Sequence, residues 1–269
     1  MFHVHAFNPH PLLRHCVDSY LIVSAEQPEG SSIENTFFPH ITQSLVFGLD
    51  HSKTVYDCTH EEYCALHFIA GPNDRVCRVK LFAGMKKMII NFKPGGFFKI
   101  FHLPANQFSN RSRDAVEFIG NQVAEIGRQL REIHLSRKIE IIDAWLIGQL
   151  ETNKKTDRNI DEAIRLIELS KGNISLGTLE QATFITKRTL ERHFLEQLGL
   201  LPKTFSRLIR FNGVIRFVES NLNVKWRQLA DVFGYYDQSH FINEFKSFTG
   251  GLPQDYFSLK AGFDKIMQV

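Results

Sequence analysis

Several sets of side chains in this sequence are of types that do chemistry, and their spacing decides which chemistry is open to them. His3, His5, His10 and His15, with Cys16, Cys58, Cys64 and Cys77, are metal-ligating types. Their spacing resembles none of the pairs that place two ligands on one zinc, so no metal and no other cofactor is expected. No cysteine pair has CxxC spacing, and reduced thiols, buried or free, are the expectation. The turn PGGFF at Pro94 lacks the Lys-Ser/Thr that would follow in a phosphate loop. No nucleophile, base and acid form a convincing catalytic set. The stretch GYYDQSHFINEFKSFTG is different. Phe241, Phe245 and Phe248 are spaced four and then three apart, which makes one face of a helix. Gln238, Ser239, Ile242 and Asn243 fall on the other face, free to touch something.

The elements that must position these residues fall into two halves. A chain of 269 residues is long enough for two domains with separate cores. Net charge is only +3, too small to argue for a nucleic-acid partner by itself. Its distribution is uneven: residues 1–151 carry 15 Lys and Arg against 16 Asp and Glu, and residues 152–269 carry 17 against 13. The N-terminus has no signal-peptide core, and no run approaches the ~18 apolar residues of a membrane span. A soluble, cytoplasmic protein is expected, with no membrane partner.

Along the first half, Pro11 to Val23 shows apolar residues at helical spacing. ENTFFPH, TQSLVFGLD, KTVYDC, ALHFIAGPN, RVCRVKLFAG and MKKMIINFKPGG read as strands, from their length, β-branched content and Gly/Pro punctuation. FFKIFHLPANQF reads as a short helix or two, and 116–133 and 137–150 as longer amphipathic helices. Residues 1–151 are thus an expected α+β domain, with regulatory, sensing or dimerising roles open to it. The polar stretch ETNKKTDRN marks the linker, set at 152–157. An all-α domain is expected over 158–269. Asp157 can cap a helix with the stripe Ile160, Ala163, Ile164 and Ile167. Ser175 can cap the next, and Pro202 suits the first turn of a long helix through Glu219.

The all-α half repeats itself. With an offset of 51 (237 − 186), Thr186 matches Asp237, Leu190 matches Phe241, and Phe194 matches Phe245. Gly199, Pro202 and Phe205 then match Gly250, Pro253 and Tyr256. Each unit is a short helix, a tight turn, an N-cap and a second helix anchored by two apolar residues four apart. That is a helix-turn-helix pattern, whose second helix can enter a major groove with its exposed N-terminal half. Leu190, Phe194, Leu229, Val232, Phe241 and Phe245 are expected in the core, and Trp226 with them.

GYYDQSHFINEFKSFTGGLPQDY resembles the second helix-turn-helix of the AraC family of bacterial transcription regulators. That family's pattern runs Gly-Tyr/Phe-x-Asp/Ser-x-Ser-x-Phe-x-Arg-x-Phe-Lys, then Gly and Pro. SLGTLEQATFITKRTLERHFLEQLGLLP resembles its first helix-turn-helix. The resemblance covers about 159–259 and implies two recognition helices joined by the long helix LPKTFSRLIRFNGVIRFVES, reading adjacent major grooves about one turn apart. It implies a transcription regulator, of a family that includes activators, with double-stranded DNA as partner. PHITQSLVFGLD, AGPN and INFKPGGFFKIFHLPANQFSNR resemble a domain found ahead of such DNA-binding halves in many bacterial regulators. A small-molecule effector, RNA polymerase and a second copy of the chain stay open as further partners.

The family's base-facing positions in the first recognition helix fall on Arg188, Glu191 and Arg192, with Lys187 beside the cap Thr186 facing phosphate. Arg can fork onto guanine and Glu can accept from cytosine. In the second, beside the cap Asp237, the corresponding positions are Gln238, Ser239, His240, Ile242 and Asn243. Asn243 stands where the family often has Arg, which removes a charged contact and leaves phosphate anchoring or adenine and thymine contacts open. Phe184 stands where the family turn usually has Gly, so strain or a different turn is expected there. Two rival readings remain: a DNA-repair or ligand-modifying enzyme in the first half delivered by the helical half, and a protein-binding module that no longer binds DNA. The cysteines do not cluster as in the methyl-acceptor modules some proteins join to such helices.

Overall fold

The computed structural model describes residues 2–152, 158–221 and 226–256. One antiparallel sheet has the order β1 (Phe2–Phe7), β2 (Val17–Ala25), β9 (Lys86–Phe92), β4 (Gln43–Gly48), β7 (His67–Ala70), β10 (Ser112–Asp114). The second has the order β3 (Ser32–Phe37), β8 (Cys77–Phe82), β5 (Val55–Asp57), β6 (Glu62–Tyr63). The sheets pack face to face through Leu21, Val23, Val46 and Phe68 from one and Val55, Val79 and Leu81 from the other. The outer face of the first sheet carries Tyr20, Ile22, Phe47, Met88 and Ile90, which pack on helices that follow.

This double burial explains one failed expectation. Pro11–Val23 is not a helix: a 3-10 turn at Pro11–Leu13 leads into β2. A strand covered on both faces reads as a continuous apolar run, and such runs mimic helical spacing. Pairing of β2 with β1 and β9 overrides the local pattern. The helices covering the sheet are α1 (Gly96–Phe101), α2 (Ala115–Ile119), α3 (Gln122–Glu132) and α4 (Leu135–Thr152). The segment expected as one helix over 116–133 is broken at Gly120, whose φ of 104° no helix continues.

The helical half contains α5 (Arg158–Leu169), α6 (Leu176–Thr183), α7 (Lys187–Leu198), α8 (Pro202–Ser220), α9 (Trp226–Val232) and α10 (Gln238–Thr249). Residues 153–157, which hold most of the expected linker and the Asp157 cap, lie outside the described residues, as do 257–269 of the expected second domain. The α5 stripe Ile160, Ala163, Ile164 and Ile167 is buried against Leu179, Phe194, Phe205 and Phe211. Each such phenylalanine contributes about 1.5–3 kcal/mol by leaving water. Helix α8 runs through the middle of this core, with Pro202 in its first turn.

Candidate nucleic-acid interface

In the first helix-turn-helix, Ser175 starts α6 by accepting from the Thr178 amide at 3.0 Å, and Thr186 starts α7 by accepting from the Thr189 amide at 3.4 Å. Leu179, Leu190 and Phe194 are buried, with Phe194 edge-on to Phe205 of α8 at 5.8 Å. That anchoring turns Thr186, Lys187, Arg188 and Arg192 outward, while Glu191 is half-buried. The Lys187 amide donates to the Glu180 carboxylate, and its ammonium lies 4.0 Å from Glu191. Arg192 reaches the His193 ring at 3.2 Å. Phe184, in the turn, holds φ at 57° with 93% of its surface exposed. The strain expected there is present, and no packing accompanies it.

The second unit repeats the arrangement with a longer turn. Asp237 accepts from the His240 amide at 2.7 Å and starts α10. Phe241, Phe245 and Phe248 are buried, and Trp226 stacks on Phe241. Gln238, Ser239, His240 and Asn243 are exposed. Ile242 was expected on the free face, yet it is half-buried against the core, so only part of it is available. The expected core position of Val232 is also corrected: it is 60% exposed, and Phe233 is buried instead. The longer turn shifts the apolar position by one residue, so Phe233 meets Gly213 and Phe217 of α8.

Between α6, α8 and α10 lies a groove of about 870 Å³ lined by Ser175, Lys203, Arg207, Arg210, His240 and Asn243, among others. Its floor is an ionic cluster that the sequence reading missed. Glu244, buried on α10, accepts from Arg207 at 2.8 Å and from Arg210 at 3.2 Å. Burial, and then the Glu244 charge, pushes the Tyr235 hydroxyl above its ordinary range. A signal existed: Glu244 falls between Phe241 and Phe248 on the packed side of the helix, and Arg207 and Arg210 are three apart on α8.

The β-rich half touches this helical unit directly. Ser109 donates to the Gly199 carbonyl at the end of α7 at 2.6 Å, and Lys99 of α1 meets Asp161 of α5 at 2.6 Å. Phe38 stacks on Tyr256, just past α10, at 5.6 Å.

Among the described residues no group of three or more His, Cys, Asp or Glu is placed to hold a metal ion. Burial pushes the thiols of Cys16 and Cys64 up to about 11 and that of Cys77 up to about 12, so they stay protonated and weakly nucleophilic at neutral pH. Among the described residues no helix is long and apolar enough to cross a membrane.

Residues 179–258 match the family described as a helix-turn-helix domain, and residues 5–114 match a domain of unknown function, DUF6597. Solved structures similar to this chain include ToxT from Vibrio cholerae, at 13% identity over 96% of this chain and 98% of that one, with a TM-score of 0.45. ToxT in a form bound to an unsaturated fatty acid matches at 13% identity over 88% of this chain and 97% of that one, with a TM-score of 0.41. No curated protein matches the chain.

Proposed function

We propose that this chain, through its helix-turn-helix domain at 179–258, is an AraC-type DNA-binding transcription regulator that reads DNA with two helices. Helices α7 and α10 enter adjacent major grooves on one face of the duplex. The observation carrying this reading is that both are capped, apolar-anchored helices fixed to one spacer, α8, with polar N-terminal halves exposed. A spacer of 19 residues is about 28 Å long, which suits two helices set roughly one duplex turn apart.

Arg188 and Arg192 fork onto guanine, and Glu191 accepts from a cytosine amine. The Thr186 hydroxyl, the Lys187 ammonium and the Arg188 amide bind phosphate at the start of α7, and Asp237 caps α10 so that the backbone at that helix start faces a phosphate. Gln238 and Asn243 pair with adenine, Ser239 and His240 donate to bases or phosphate, and the exposed part of Ile242 meets a thymine methyl. The half at 1–151 is the regulatory module, and its contacts to Gly199, Asp161 and Tyr256 support that role.

Selection of bound duplexes from a random pool, with the full chain, tests the proposal. The expected result is a two-part element whose affinity falls steeply with salt. A pool that returns no enriched sequence overturns it.

A further inference from the structure

Two recognition helices on one spacer read DNA as a unit only if their relative rotation is held. Apolar packing is non-directional and lets a helix roll in its groove; charge-assisted forks are directional. A chain of directional hydrogen bonds, charge-assisted where the arginines meet Glu244, runs from the residue ahead of the first helix-turn-helix to the second. Asn173, just ahead of the α6 cap, donates to the Phe233 carbonyl at 3.0 Å and accepts from Arg210 at 3.2 Å. Arg210 continues to Glu244 of α10 and lies over the Tyr235 ring at 4.5 Å. Arg207 grips the other side of Glu244, donates to Ser247 at 3.3 Å and lies over Phe248 at 4.8 Å. Glu244 is 5% exposed, one turn from His240 and next to Asn243, which belong to the proposed reading face.

Burying Glu244 costs desolvation that an apolar residue would avoid, and the best-attested return for that cost is a fixed register. We propose that Glu244, held by Arg207 and Arg210, is a positioning residue that sets the rotation of α10 relative to α7 and thereby the spacing of DNA segments the chain accepts. The inference rests on the two-groove reading above.

The test uses the full chain and duplexes recovered by selection, remade with one base pair inserted or removed between the two contacted segments. Each such change rotates one segment against the other by about 34°. The native chain is expected to lose about tenfold or more in affinity for either change. Glu244→Gln removes the charge, and Arg207→Lys keeps a charge but removes the fork at a partly exposed position. Both are expected to bring the ratio between spacings to about threefold or less, with native circular dichroism. Either folded variant keeping the native ratio overturns the inference, as does a uniform loss of affinity at every spacing, which marks a purely structural role. Should Glu244→Gln fail to fold, Arg207→Lys decides alone. A selection that yields no two-part element fails the underlying reading instead, so the two failures are distinguishable.

Discussion

The Ser109 hydroxyl donates a 2.6 Å hydrogen bond to the carbonyl of Gly199, the residue that closes the first recognition helix. One half of the chain therefore holds the end of the element proposed to read DNA in the other half. Gly199 is required twice over: its φ is 71°, and a Cβ there would sit 2.5 Å from Ser109 Oγ and 2.9 Å from the Ala105 carbonyl.

Gly199→Ala is expected to destabilise the protein by more than the roughly 1 kcal/mol of a left-handed alanine, because the contact with Ala105 must also open. Ser109→Ala is expected to cost only about 1 kcal/mol. Thermal unfolding of both variants checks the order, and equal midpoints would show that the contact is not tight.

Arg188→Ala and Arg192→Ala are each expected to weaken specific binding by about 1–3 kcal/mol, measured by titration on a selected duplex. A folded double variant with native affinity would remove α7 as a reader. Asn243→Arg should act in the opposite sense, adding a phosphate or guanine contact and steepening the salt slope by about 1.

Phe184 keeps a left-handed backbone without burying its ring. Phe184→Gly is expected to leave stability unchanged or raise it by up to about 1 kcal/mol, since glycine adopts that conformation without the Cβ clash. Chemical denaturation measures it; a clear loss would mean the exposed ring makes a contact that matters to the fold.

His67 is buried beneath α3, where its Nδ1 accepts from the Gly48 amide at 3.2 Å, and a Cβ on Gly127 would sit 2.2 Å from the ring. Burial, with help from Arg131 and Lys87, lowers its pKa from 6.5 to about 4. Between those values the unfolded chain binds more protons than the folded one, so stability is full above about 6.5 and falls as pH drops toward 4. The loss attributable to His67 is at most roughly 3 kcal/mol. Denaturation midpoints across that range should show a shallower pH slope for His67→Asn; an unchanged slope would assign the acid sensitivity elsewhere.

The caps Ser175, Thr186 and Asp237, the α8 start at Pro202 and the apolar anchors of both recognition helices were legible because each is a local rule acting within one or two turns. Most strands of the sandwich were legible from their length, β-branched content and Gly/Pro punctuation. The β2 segment was not, because burial on both faces erased the alternation that marks a strand. Val232 was misplaced for a related reason: a one-residue lengthening of a turn changes which side chain meets α8.

The sequence by itself determined that the second half is a repeated, capped helix-turn-helix with polar faces at Arg188 and Arg192 and at Gln238 and Asn243, since repetition and helical periodicity are written in spacing. Only the tertiary structure decided that Glu244 is a buried acid clamped by two arginines, and that Ser109 and Phe38 reach across to Gly199 and Tyr256. Those contacts join residues 37 to more than 200 positions apart, and no local propensity encodes which distant side chain will fill a given space.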